Sequence, residues 1–169
     1  MANKVWVLEE TAKVIADTTD YAGAIGARTH QIDLTSLAAA AARQSVKVDL
    51  AVSGAYLAQE YEVFAAIEMA VAPTSGKTVD IYVAFSPSAT AATANPGGCS
   101  GSDAAYIGTA GDSLADSLLQ LTLIGSLVLT ADATTVVQFQ VIGFFTAAER
   151  YACFVVVNNG DQAFVADAV

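Results

Sequence analysis

Positive charge is scarce in this chain. Of 169 residues only seven are Lys or Arg, against seventeen Asp or Glu, for a formal net charge of −10. The seven are scattered at Lys4, Lys13, Arg28, Arg43, Lys47, Lys77 and Arg150. Phosphate backbones are neutralised by clustered Lys and Arg, so nucleic acid is not an expected partner. The same balance speaks against an anionic membrane surface. Histidine is limited to His30. That leaves no His-rich zinc site, and any Ser/His/Asp arrangement would have to use this one residue. No Gly-x-Ser-x-Gly elbow is present; Gly98-Cys99-Ser100-Gly101 has the wrong spacing. A Cys99 nucleophile would likewise depend on His30, and His30 reads as a solvent-edge strand residue.

Cysteine is limited to Cys99 and Cys153, too few for a disulfide scaffold or a cysteine zinc site. Cys153 lies in an apolar run and reads as a small buried hydrophobe, and pairing with Cys99 stays open. No apolar run reaches membrane-spanning length; the longest, Leu118 to Thr130, carries Gln120. The start, Met-Ala-Asn-Lys-Val-Trp, has no apolar core of a secretory signal. Gly76-Lys77-Thr78 lacks the upstream glycine of a phosphate loop. Asp103, Asp112 and Asp116 offer oxygens of the kind Ca²⁺ takes, without EF-hand spacing. Glu60 and Glu62 read as a solvated strand face. No catalytic set, cofactor or metal is expected, and the chain reads as a non-enzyme.

What is abundant is apolar residues, 54% of the chain, with only 14% charged. A surface this poor in charge is typical of chains that bury area against partners. Alternation of period two dominates. In Ser45–Val52, residues Val46, Val48, Leu50 and Val52 share one face. In Tyr61–Ala72, Val63, Ala65, Ile67 and Met69 share one face, and Glu62, Phe64, Ala66 and Glu68 the other; in Thr78–Phe85 the inward set is Val79, Ile81, Val83 and Phe85. Pro73-Thr74-Ser75-Gly76-Lys77 between the last two reads as a hairpin turn, as do Ala131-Asp132-Ala133 and Asn158-Asn159-Gly160-Asp161. The rhythm implies about eight or nine strands in one domain over residues 1–169, an antiparallel β-sandwich of jelly-roll-like form. The five alanines after Leu37 predict one or two helical turns, or a loop crossing the end of the sandwich.

Ser86 to Ser117 reads as a long loop, rich in glycine and poor in large apolar residues. It is expected to add little to the core and to serve contact with a partner. Deleting Gly97–Gly111 should on this reading leave the domain folded. The N-terminal Met1–Tyr21 segment is the other expected contact region, since terminal segments order when tied down. Trp6, Tyr21 and Tyr106 are the partner-contact candidates; Tyr56 also falls near a loop.

Several phrases carry a resemblance: Ile15-Ala-Asp-Thr-Thr-Asp-Tyr21, Arg28-Thr-His-Gln-Ile-Asp-Leu-Thr-Ser-Leu37, Ala42-Arg-Gln-Ser45, Ser86-Pro-Ser-Ala-Thr-Ala-Ala-Thr-Ala-Asn-Pro-Gly-Gly98, Gly101-Ser-Asp-Ala-Ala-Tyr106 and Glu149-Arg-Tyr151. Together they resemble small structural proteins encoded among tailed-phage virion genes, over nearly the whole chain. The resemblance implies a β-sandwich virion protein made in the host cytoplasm. The expected role is capsid decoration (cement), with the major capsid protein as partner and a homo-oligomer, a trimer, as the assembly. The alternative is a tail or head fibre module that binds a host receptor or glycan. No catalytic or ligand-binding residues are implied.

Overall fold

A computed structural model describes residues 4–8, 13–14, 32–53, 56–57, 60–132 and 136–166, with backbone alone over 4–8, 13–14, 52–53 and 56. His30 and Tyr21 lie outside the described residues. Among those described, twelve strands run β1 Lys4–Leu8, β2 Lys13–Val14, β3 Ala42–Gln44, β4 Val48–Asp49, β5 Ala51–Ser53, β6 Tyr56–Leu57, β7 Tyr61–Ile67, β8 Thr78–Ser86, β9 Ala104–Ala105, β10 Thr122–Val128, β11 Gln138–Phe145 and β12 Tyr151–Asn158. A single helical turn, α1, spans Leu114–Leu118. One antiparallel sheet is ordered β11-β7-β1-β2 and the other β10-β8-β12-β3-β9, with β4 also on β12; β5 and β6 pair apart from both. The all-β, sandwich-like class is the one the alternation implies.

The inward faces follow from that alternation. Val63, Ala65, Ile67 and Met69 are fully buried, and so are Val79 and Ile81, with Val83 beside them. Phe85 completes its face at the core's margin, 5.8 Å from the Phe145 ring. Phe145 stacks on Tyr61 at 5.0 Å, and the Tyr61 hydroxyl donates to the Leu50 carbonyl. Each such side chain contributes about 1.5–3 kcal/mol by leaving water.

The expected hairpins are corrected. β7 lies in the first sheet and β8 in the second, so Pro73–Lys77 bridges sheets rather than closing a ladder. Its turn is as read: Gly76 has φ of 88° and the Lys77 amide donates to the Thr74 carbonyl. β10 and β11 likewise belong to different sheets. The chain after Asn158 pairs through Phe164 with Met69, not with β12. Alternation marks a strand's inner face but is silent on which sheet that strand joins, because both sheets share one core.

Two further expectations are revised locally. The alanine run is not helical: Ala40 takes φ of 58°, and the Asn158 side-chain Nδ2 donates to the Leu37 and Ala38 carbonyls, pinning a loop before β3. The expected strand Ser45–Val52 is divided. The Ser45 hydroxyl accepts from the Phe154 amide, taking a ladder position, and Val46 is only half-buried.

The tail turn is tied to the Pro73–Lys77 turn by Asp161, which accepts from the Thr74 hydroxyl at 2.5 Å and the Thr74 amide at 3.0 Å. These bonds, the hydroxyl's first, hold the carboxyl below its ordinary value, about 3.9 for a free Asp. A depressed folded value means that this contribution is complete above the unfolded value. It is lost as pH falls through the folded one. Thr74→Val should therefore move the Asp161 midpoint upward in a carboxyl NMR titration. An unmoved midpoint would show that the hydroxyl bond is absent in solution.

The largest departure concerns residues 86–121. β12 runs Ala152-Cys-Phe-Val-Val-Val157 with every residue buried, so both of its faces are covered. Ala152, Phe154 and Val156 face the sandwich core, whereas Cys153, Val155 and Val157 join Ala42 and Ala84 on the other side of the sheet. Covering them are Cys99, Tyr106, Leu114, Leu118 and Leu121. The expected loop thus forms a third layer with its own small core, built on a 3-10 turn at Pro96–Gly98 and on α1, while its β9 joins the edge of the second sheet beside β3. Lys47 anchors it from the sheet: its ammonium donates to the Ser86 hydroxyl and to the Thr90 and Thr93 carbonyls at 2.8–3.0 Å. Gly98, at φ of 72°, allows close approach to Gly108, where a Cβ would lie 2.4 Å from backbone.

Candidate interaction surface

From Ser117 through Ala148 the sequence holds a single charged residue, Asp132. This stretch forms β10 and β11, which end their respective sheets and meet each other at the corner of the sandwich. Two devices join them. Gly125 and Gly143 cross at very short range: a Cβ on Gly125 would stand 2.2 Å from the Ile142 carbonyl oxygen, and one on Gly143 2.6 Å from that of Ile124. In addition, β11 supplies side-chain amides to the outer edge of β10. The Thr130 amide donates to Gln138 Oε1 at 2.8 Å and Gln138 Nε2 donates to the Thr130 carbonyl at 3.2 Å. The Val128 amide donates to Gln140 Oε1 at 3.3 Å. These bonds satisfy ladder groups that an open edge would leave exposed.

A register shift between Val141 and Gly143 reverses the facing of β11. Before it Phe139 and Val141 point outward; after it Phe145 points into the core and Phe144 outward. A bulge adds one residue to a strand, so apolar residues on both sides of it reach the same outer surface. The outcome is an apolar face. Six of the nine exposed large hydrophobic residues among those described lie along this corner: Leu123, Val128, Val136, Phe139, Val141 and Phe144. Phe139 is 57% exposed and Phe144 55%. The Phe139 ring stacks on half-buried Phe64 of β7 at 5.7 Å. Val128, Val136 and Phe139 also line a shallow groove of about 190 Å³ between the two strands. Glu62, across from Phe144 in the ladder, stands at the rim.

The three residues singled out from sequence fall elsewhere or beyond description. Trp6 is in β1, with its backbone paired opposite Phe64 and Val14, and its side chain lies outside the described residues, as does Tyr21. Tyr106 is corrected: it is 2% exposed, its hydroxyl donates to the Gly97 carbonyl, and burial pushes its phenol up to about 12. It holds the third layer in place instead of meeting a partner. Cys99 of the third layer and Cys153 of β12 beneath it are free thiols in the same small core, and burial pushes them up to about 12 and about 11. Both are protonated at neutral pH, which removes the nucleophilic form.

Two of the three acidic residues of the third layer, Asp103 and Asp116, are engaged separately, and Asp112 is exposed. Asp103 accepts from the Arg43 guanidinium at 2.7 Å, and Asp116 accepts from the Ser113 hydroxyl at 2.6 Å. Among the described residues no three His, Cys, Asp or Glu side chains come together as a metal site would require. The β10–β11 face was absent from the sequence-derived candidates, which were Trp6, Tyr21 and Tyr106. The signal that marks it is the nearly uncharged run itself, longer than two buried strands need. Comparison with protein-family models, with curated proteins and with solved structures finds no match.

Proposed function

We propose that this chain is a structural protein of a tailed-phage virion, a capsid decoration protein that binds and stabilises the shell of major capsid protein. The observation that carries the reading is the uncharged apolar face along β10 and β11. A patch of about 300–600 Å² is the largest that a typical monomer exposes, and patches of that size are often functional. A protein built into a shell covers such a face in its working state, against the shell or against its neighbouring copies. The phrase-level resemblance and the all-β sandwich-like class support the same reading. A jelly-roll connectivity belongs to this proposal as its finer form. The role is passive: copies bound at junctions of the shell add buried area that must be exposed again on disassembly, which stabilises the particle by mass action. The copies act as a homo-oligomer, a trimer on the surface of the capsid.

The fibre-module alternative draws on Phe139, an exposed ring beside Gln140 at the groove, as a stacking platform for a sugar. Gel densitometry of purified particles of the phage that carries this chain separates the two. Decoration requires hundreds of copies per particle, as is usual for shell-wide binding. A handful of copies, together with glycan binding by the isolated chain, would overturn decoration in favour of the fibre role.

A further inference from the structure

We propose that the β10–β11 face is where copies of this chain meet one another, each face closing against its equivalent around a symmetry axis. The inference rests on the proposed self-association and names a contact surface for it, one that pairs copies about a two-fold axis rather than closing a trimer by itself. Three observations carry it.

The first is charge. A chain of net charge −10 repels its own copies wherever their acidic surfaces approach, over a screening length of about 8–10 Å at moderate salt. Self-contact is therefore least opposed where the surface is neutral. The Ser117–Ala148 run places its one carboxylate, Asp132, at the end of the face, where the Thr130 hydroxyl donates to it. A basic partner would find only Asp132 at the end of the face and Glu62 at its rim to pair with, so the fitting occupant is another neutral apolar surface. This face is itself such a surface, and in a two-fold assembly the same patch of each copy meets its equivalent at the axis.

The second is area. The six exposed side chains present on the order of 500 Å² of apolar surface, taking about 150–250 Å² for a whole aromatic side chain and less for Val and Leu. Interfaces between identical subunits are about 65% apolar, so this face corresponds to a footprint of about 800 Å² per copy. That is the size of a standard stable interface.

The third is rigidity. The face is pre-formed by the Gly125–Gly143 crossing, the Gln138 and Gln140 bonds and the Phe64–Phe139 stack. Little side-chain freedom is left to lose on association, which favours affinity. Phe139 and Phe144 are the central aromatics, with Glu62 in the polar rim.

The test uses the full chain in sedimentation velocity between about 5 and 100 µM, at low and high NaCl, and takes interface truncations of this kind as the guide. The wild type should be oligomeric, and salt should leave the assembly intact or strengthen it, because screening relieves like-charge repulsion. Phe139→Glu and Phe144→Glu, made separately, should each weaken association at least about tenfold while the circular dichroism spectrum stays β-type. Leu119→Glu, at a residue 84% exposed on the third layer, should leave it unchanged. A wild type that is monomeric at the highest concentration overturns the inference. So does an oligomer that both β11 variants leave intact, or one that salt dissolves. These outcomes are separate from the virion reading: a monomer in solution that still decorates particles at high copy number would sink only the self-contact.

Discussion

Tyr106→Ala is expected to remove about 3–5 kcal/mol of stability, the usual cost of deleting a fully buried aromatic. For a chain of this size that lowers the melting temperature by about 10 °C. The reason is positional. Tyr106 is one of the few large side chains in the third layer, and it packs with Cys99 over the outer side of β12. Its amide donates to the Ala42 carbonyl and its hydroxyl to the Gly97 carbonyl, so one residue links the sheet to the 3-10 turn. Tyr106→Phe keeps the ring and loses one buried hydrogen bond, about 1 kcal/mol. Deleting Gly97–Gly111 removes Cys99 and Tyr106 together and uncovers Cys153, Val155 and Val157. That deletion is expected to abolish the cooperative melt followed by near-ultraviolet circular dichroism. This reverses the expectation drawn from the glycine-rich sequence. A deletion variant that melts like the parent would mean the third layer is dispensable.

The Gly125–Gly143 crossing carries the other large effect. Gly125→Ala would set a methyl group 2.2 Å from the Ile142 carbonyl oxygen, a backbone atom that cannot rotate aside. Relief requires the two strands to separate at their bulges, which pulls Ile142 from the core and strains the Gln138 and Gln140 bonds. Overpacking of a tight site costs about 1–3 kcal/mol and sometimes more, and the upper end is expected here. Gly76→Ala is the informative comparison. Gly76 has φ of 88° but nothing within 4 Å of a new Cβ, so only backbone strain is paid there, about 1–2 kcal/mol. Urea midpoints should rank Gly125→Ala below Gly76→Ala, and both below the parent. An equal loss at the two positions would indicate that the strands do not cross this closely in solution. Because the crossing also shapes the exposed face, Gly125→Ala should lower association along with stability.

The sequence by itself determined the all-β class and the inner faces of β7 and β8. Val63 to Met69 and Val79 to Val83 lie inward as their alternation requires, because a pleated strand sends alternate side chains to opposite sides whatever its neighbours. It also made His-based chemistry and basic nucleic-acid contact unattractive readings, since the residues those chemistries need are scarce.

Tertiary structure alone decided the rest. The choice of sheet for β7, β8, β10 and β11 depends on how all the strands share one core, and turn residues between neighbours carry no record of it. The third layer follows from pairing across distance: Val155 needs a cover, and Tyr106 and Leu118 supply it from far away in the chain. The unbroken apolar run of β12 was the local trace of that second covered face, because a strand with one wet face would alternate. That Phe144 turns outward on the same side as Phe139 rests on a bulge at Ile142, because one inserted residue reverses every facing after it.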